Sequence, residues 1–239
     1  MIRFIFSSFK NHFIKANISV SLPSVFIRNL SSQPKSVRLH FHDNYSGELK
    51  EKFQKNLLIF NDFITETDEK NLINEINPRL RRMRYEFDHW DNAIEGFKEF
   101  EKDTWNDSNC KIFNKIREIA FENGKLYLPH VHVLDVAENG YIKAHVDNVK
   151  FCGGTIAGLC LLTDAVMRFV SDKHHMTVDA LLKRRSFYIM KDFIRYDFTH
   201  EVLKNDESLF MGERIHKGRR VSLICRSEPN NIADDILQN

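Results

Sequence analysis

Along this chain the spacing of apolar residues changes character near residue 125, from mostly helical to mostly strand-like. FQKNLLIF, residues 53–60, reads as a first strand. NDFITETDEKNLINEINP then predicts an entry turn, a threonine cap at 65 or 67, and a helix that Pro78 ends. Leu72, Ile73 and Ile76 give that helix an apolar stripe. Residues 106–124 return to helical periodicity, with Ile112, Ile116 and Ile119 on one face, a polar cap among Asn106 to Ser108, and Gly124 just past the end. This second helix should back a sheet. Between the two helices, residues 85–107 hold eight acids, two bases and both tryptophans, and predict an irregular acidic flank or lid.

From Tyr127 the runs are short and β-like. LYLPHVHVLDV, YIKAHVD, GTIAGLCLLT, AVMRFV, HMTVDALL, SFYIM, IRYDFTHEV and RRVSLICR are separated by turn signals such as ENG, Thr163 with Asp164, and KGR. The predicted fold is α+β and mainly β: a double-stranded β-helix (jelly roll, cupin-like) with N-terminal helices packed against the sheet.

Composition narrows the class. With 239 residues and 42% hydrophobic content the chain can bury one sizeable core, and no apolar run is long enough to span a bilayer. Cys110, Cys152, Cys160 and Cys225 lack C-x-x-C spacing and lie in or beside apolar runs, so they read as core thiols in a reducing compartment. The net charge of +2 conceals an asymmetry: residues 1–42 carry six Lys or Arg, eight Ser and no acid, leaving −4 for the remainder. That basic, serine-rich start reads as a mitochondrial transit peptide over residues 1–30, with a processing-like site at Arg28 to Ser31. A flexible linker over 31–52, one domain over 53–228 and a tail over 229–239 complete the predicted organisation. Arg79, Arg81, Arg82 and Arg84 form a basic cluster that fits a solvated face, or a set of partners for the nearby acids, better than a phosphate site.

Candidate chemistry centres on YIKAHVD. His145 and Asp147 at i and i+2 of a strand end share a face, and one further imidazole would complete the 2-His-1-carboxylate triad that binds Fe(II) with positions left open. His200, in the alternating stretch RYDFTHEV, is the expected partner. The three-residue pattern is cheap, since His89, Trp90 and Asp91 repeat it, but that copy lacks strand context. His130, His132, His174 and His175 read as core or surface residues; the adjacent pair would point to opposite faces of a strand. Arg220 and Arg226 lie six residues apart on one strand face, about 20 Å, which suits an elongated ligand such as a five-carbon diacid whose near end chelates the metal.

These residues carry a family likeness. His145, Asp147, His200 and the Arg220 to Arg226 pair resemble the HxD…H…Rx5R pattern of the AlkB family of Fe(II)- and 2-oxoglutarate-dependent dioxygenases. RRMRYEFDHWDNAIEGFKEFEK, YIKAHVDNVKFCGGTIAGL, RYDFTHE and GRRVSLICRS resemble one mitochondrial branch of it, and the likeness covers about residues 55–228. It implies iron held by His145, Asp147 and His200, 2-oxoglutarate held by Arg220 and Arg226 with Tyr188 as a hydroxyl donor, and O2 as second cosubstrate. An Asn-x-Tyr motif that usually precedes HxD is here Leu134, Asp135, Val136.

The resemblance further implies a monomer of the mitochondrial matrix in a branch linked with regulated necrosis after alkylation damage and with fatty-acid metabolism. A mitochondrial protein is the expected substrate, because an acidic flank disfavours a polyanion. RNA or DNA N-methyl demethylation, and a metal-binding pseudo-enzyme acting through partners, are the alternatives.

Overall fold

The structure, a computed structural model, describes residues 38–89, 92–121 and 126–229. The expected transit peptide and processing site, the Gly124 cap, Trp90 and Asp91, and all of the tail but Pro229 lie outside the described residues. No described helix is long and apolar enough to cross a membrane.

Ten strands form one curled antiparallel sheet. Its order is β1 (Leu39–Phe41), β7 (Met176–Leu182), β6 (Ala165–Ser171), β9 (Thr199–Val202), β4 (Val131–His145), β12 (Arg220–Arg226), β5 (Thr155–Leu161), β8 (Phe187–Lys191) and β2 (Leu57–Phe60), with β3 (Ile94–Lys102) also on β4. A separate hairpin joins β10 (Leu209–Phe210) to β11 (Glu213–Arg214). The jelly-roll expectation therefore holds.

The strands that read as continuous apolar runs are covered on both faces. In β5 every residue is buried: Ile156 and Cys160 face an inner cluster with Phe169, Tyr188 and Ile224, while Ala157, Leu159 and Leu161 face an outer cluster beneath the helices. Helix α2 (Glu66–Leu80) starts from a capping box, Thr65 Oγ1 accepting from the Asp68 N–H and Asp68 Oδ2 from the Thr65 N–H. Its Leu72, Ile76 and Leu80 are buried in the outer cluster, as are Ile112, Phe113 and Ile116 of α3 (Asp107–Ala120), whose N-cap is Asn106. The four cysteines are free thiols, and all but Cys110 are buried.

Several boundaries differ from expectation. Residues 38–52, read as linker, contain β1 on the edge of the sheet and the start of α1 (Gly47–Asn56), so FQKNLLIF is a helix end followed by a four-residue strand. Phe53 is fully buried against Phe169 and Phe198, which anchors this segment. Pro78 sits inside the last turn of α2 and does not end it. The acidic stretch 85–107 is in part a nine-residue strand, β3. Its alternation is broken by a bulge at Gly96, whose φ of +67° suits glycine. The first half of IRYDFTHEV is the short helix α4 (Asp192–Asp197). His174 and His175 occupy the turn before β7 and not a strand.

Candidate active site

β4 and β9 run antiparallel with His145 directly opposite His200, so the pairing register places the two imidazoles together. Their ring centroids are 4.3 Å apart. Asp147, two residues past the end of β4, brings Oδ2 to 3.4 Å from His200 Nε2, and one donor atom from each of the three residues lies within 4.8 Å of the others. Ligands about 2.1 Å from a common ion at right angles stand about 3 Å apart, so the His200–Asp147 spacing is close to a coordinating one.

Protonation favours a cation here. His145 Nδ1 lies 2.9 Å from the Lys143 carbonyl oxygen, which can only accept, so in the neutral imidazole Nδ1 carries the proton and Nε2 the lone pair. Burial keeps the His200 imidazole neutral at neutral pH, and neighbouring His145 adds to the effect. Burial also works to raise the pKa of Asp147, but His200, Arg226, His145 and Arg195 outweigh it and hold the carboxylate ionised.

The trio opens into a cavity of about 480 Å³ between the two halves of the curled sheet. Arg220 and Arg226 reach it from one face of β12, Tyr188 from β8, and Leu134, Ile142 and Met167 supply apolar wall. Arg220 is 1% exposed. Among the described residues its contact is Cys160 Sγ at 3.5 Å, and its Nε has no hydrogen-bond partner. Arg226 donates from NH1 to His132 Nδ1 at 2.9 Å and from NH2 to Asp147 Oδ1 at 3.4 Å. The Tyr188 hydroxyl has its pKa raised by burial first, so it is a neutral donor. A pocket with two guanidinium groups, a phenol and an incompletely paired buried charge fits an elongated dicarboxylate, and the adjoining His2Asp donor set fits a divalent metal.

The structure assembles a second His2Asp group, which no sequence motif had marked. His40 faces Asp179 across β1 and β7, with His42 beside it. Asp179 is already gripped by Arg168 at 2.8 and 2.9 Å and hydrogen-bonded to His42 at 2.7 Å, so its lone pairs are committed. This cluster is a clamp holding β1.

His89 of the decoy copy lies in the cavity wall, 3.2 Å from Glu99. Of the four histidines read as core or surface residues, His130 and His132 also line the cavity, and His132 is bonded to Arg226 and to Glu99 Oε2 at 2.9 Å. Glu99 was assigned no role from sequence, and His132 was read only as a core or surface residue. Period two in VHVLDV puts His132 on the face of Leu134, which was the available signal.

Solved structures show the same fold. OsALKBH1 superposes with a TM-score of 0.52 at 12% identity, covering 72% of this chain and 97% of that one. A Pseudomonas putida prolyl-4-hydroxylase gives 0.52 at 12% identity over 74% and 94%. No family model matches the chain. A curled jelly roll with a His2Asp cluster beside a cationic pocket defines the class of Fe(II)- and 2-oxoglutarate-dependent oxygenases, which consume O2. Within that class the mitochondrial alpha-ketoglutarate-dependent dioxygenases alkB homolog 7 of Mus musculus and Bos taurus are each 47% identical over 171 residues, 71% of this chain and 77% of theirs. The chain belongs to the alkB homolog 7 family of mitochondrial dioxygenases.

Proposed function

We propose that His145, Asp147 and His200 hold the iron and that Arg220, Arg226 and Tyr188 hold 2-oxoglutarate, in an enzyme of the mitochondrial matrix that hydroxylates a protein. When bound, iron and 2-oxoglutarate supply the oxidising power, coupling O2 reduction to decarboxylation and release of succinate. The chain's own residues orient that chemistry. His145 presents Nε2 because Lys143 holds its Nδ1–H; Arg226 offers N–H groups beside the metal position; Arg220 and Tyr188 close the far end; Leu134, Ile142 and Met167 exclude water.

The protein reading rests on one observation. The described residues lining the cavity include the acids Glu99 and Glu101 of β3, the apolar Leu128 and Phe151, and no lysine. A nucleic-acid substrate would meet carboxylates where phosphate binding needs cations. The opposing observation is that Arg81, Arg82 and Arg84 are exposed after α2, while Arg79 stacks on Phe100 at 4.2 Å with no carboxylate partner among the described residues, which favours nucleic-acid demethylation as second reading. On family likeness alone, we extend the role to regulated necrosis and fatty-acid metabolism, with a mature monomer starting near Ser31.

The test incubates the Fe(II)-loaded protein with mitochondrial protein fractions and with methylated oligonucleotides across a salt series. Succinate release stimulated by a protein fraction supports the reading. Formaldehyde from the methylated strand, with tight salt-sensitive binding, replaces it with the demethylase.

A further inference from the structure

Arg226 is held from behind by a part-buried hydrogen-bonded string, whose Glu99–His132 link the proposed site does not use. Glu99 Oε2 lies 2.9 Å from His132 Nε2, His132 Nδ1 lies 2.9 Å from Arg226 NH1, and Arg226 NH2 reaches Asp147 Oδ1 at 3.4 Å. His89 Nε2 adds a contact to Glu99 Oε1 at 3.2 Å. The string crosses three neighbouring strands: Glu99 on β3, His132 on β4 and Arg226 on β12.

Its direction is fixed by chemistry. A guanidinium N–H can only donate, so His132 Nδ1 must accept and its proton sits on Nε2, where the Glu99 carboxylate accepts it. The carboxylate thus sets the tautomer, and the tautomer supplies the lone pair that steers Arg226. That steering matters because Arg226 has an alternative carboxylate within reach. Without an acceptor on its NH1 side, the guanidinium would swing to close its long contact with Asp147 into a short charge-assisted one. It would then occupy a carboxylate needed for metal and turn its donors away from the cavity.

We propose that Glu99 and His132 are positioning residues for 2-oxoglutarate, keeping Arg226 between the metal-binding aspartate and the cosubstrate carboxylate. This deepens the proposed site and rests on the assignment of Arg226 to 2-oxoglutarate.

The experiment measures 2-oxoglutarate binding by calorimetry to the full chain loaded with Mn(II), which is not turned over, and records the melting temperature of each variant. His132→Leu removes the acceptor. His132→Asn restores one near the Nδ1 position without the link to Glu99. Glu99→Gln weakens the tautomer control. A lost hydrogen bond to a charged group, about 1.5–3 kcal/mol, corresponds to a Kd raised roughly 10- to 100-fold in His132→Leu. His132→Asn should recover most of that loss, and Glu99→Gln should lose a few-fold, with melting temperatures near wild type. Unchanged affinity in His132→Leu overturns the inference, as does a loss that His132→Asn does not recover. If His132→Leu fails to fold, wild-type affinity in Glu99→Gln overturns it instead. Arg226→Ala separates the two levels: retained binding there sinks the assignment of Arg226 itself, whereas lost binding there with unchanged His132→Leu sinks the positioning role alone.

Discussion

Gly158→Ala is the sharpest test of how the cosubstrate pocket is built. Gly158 stands opposite Tyr188 in the β5–β8 pair, and a methyl group on it would lie 2.4 Å from Tyr188 Cε1 and Cζ and 2.6 Å from the hydroxyl. Carbon atoms in contact sit about 3.5–4 Å apart, so the ring must retreat by roughly an ångström or more. Tyr188 is only 5% exposed, which leaves the cavity as the space into which it can move. Overpacking of this kind costs about 1–3 kcal/mol, which in a domain of this size lowers the melting temperature by about 2–12 °C. The displaced phenol would enter the volume proposed for 2-oxoglutarate, so affinity should fall with stability. Tyr188→Phe supplies the contrast, losing affinity about tenfold through the missing hydroxyl while its melting temperature stays near wild type. Thermal unfolding and calorimetry on the Mn(II)-loaded protein read both effects. If Gly158→Ala melts within a degree of wild type and binds 2-oxoglutarate equally well, the reasoning from this contact is refuted.

Asp147→Ala and His200→Ala should each abolish iron binding and uncoupled succinate formation while leaving the far-ultraviolet circular dichroism unchanged; wild-type iron occupancy in either would remove the triad assignment. Arg219→Ala should destabilise the fold by the low end of roughly 3–5 kcal/mol, because it removes both charge-assisted bonds, at 2.9 and 2.8 Å, from the 0% exposed Asp135 and leaves it the Tyr85 hydroxyl at 3.3 Å, while Arg219 itself is partly solvated; denaturant melts would show it. Lys217 donates to the carbonyls of Ala137 and Glu138, and burial pulls its pKa from 10.5 to about 8. Between those values the unfolded chain binds the proton that the folded chain has released, so stability rises as pH climbs from 8 to 10.5. Subtracting the pH profile of Lys217→Met from that of wild type should expose this slope, and parallel profiles would exclude it. Arg220→Met should leave the ligand-free protein at least as stable as wild type while removing the thermal stabilisation given by 2-oxoglutarate; a strongly destabilised ligand-free variant would contradict that.

The parts of the fold that sequence made legible were those where one physical signal dominated. Leu72 and Ile76 mark α2 by helical spacing, a threonine at 65 or 67 marks its start, which proves to be Thr65, and the apolar run of β5 marks a strand. The misreadings occurred where two signals competed. β3 was hidden by the Gly96 bulge, which shifts its alternation, and by acids whose partners come from other segments, such as Glu99 with His132 and Lys143 with Glu95. Pro78 suggested a helix end, but in the last turn a missing N–H costs one bond and the buried Leu80 keeps the turn in place. At the site, His145 and Asp147 were visible from their spacing within one run, and His200, which the β4–β9 register brings to them, was visible because the family pattern calls for a downstream histidine. Glu99 and His132 were not, because their contact is made across strand register, which spacing within one run does not encode.

Leu134 and Val136 show why Arg220 carries so much of the proposed pocket. They stand where the wider AlkB pattern has Asn and Tyr, and both are buried in the inner cluster, so at these positions β4 offers the cavity no side-chain donor. Asp135 between them turns to Arg219 instead. The donors must then come from β8 and β12, and β4 contributes through His132 acting on Arg226. Arg220, deeper on β12, has a thiol and an orphaned Nε where a buried guanidinium ordinarily has a carboxylate. An isolated buried cation costs several kcal/mol, a cost that a core residue of similar volume would not incur. A fold that keeps such a residue fully buried gives up stability in the ligand-free state. A dicarboxylate entering the cavity would restore it, because its far carboxylate supplies the missing acceptor. The same incomplete pairing that weakens the ligand-free protein therefore makes the proposed pocket selective: a monocarboxylate able to chelate the metal would still leave Arg220 unpaired, and would lose the energy that a five-carbon diacid gains there.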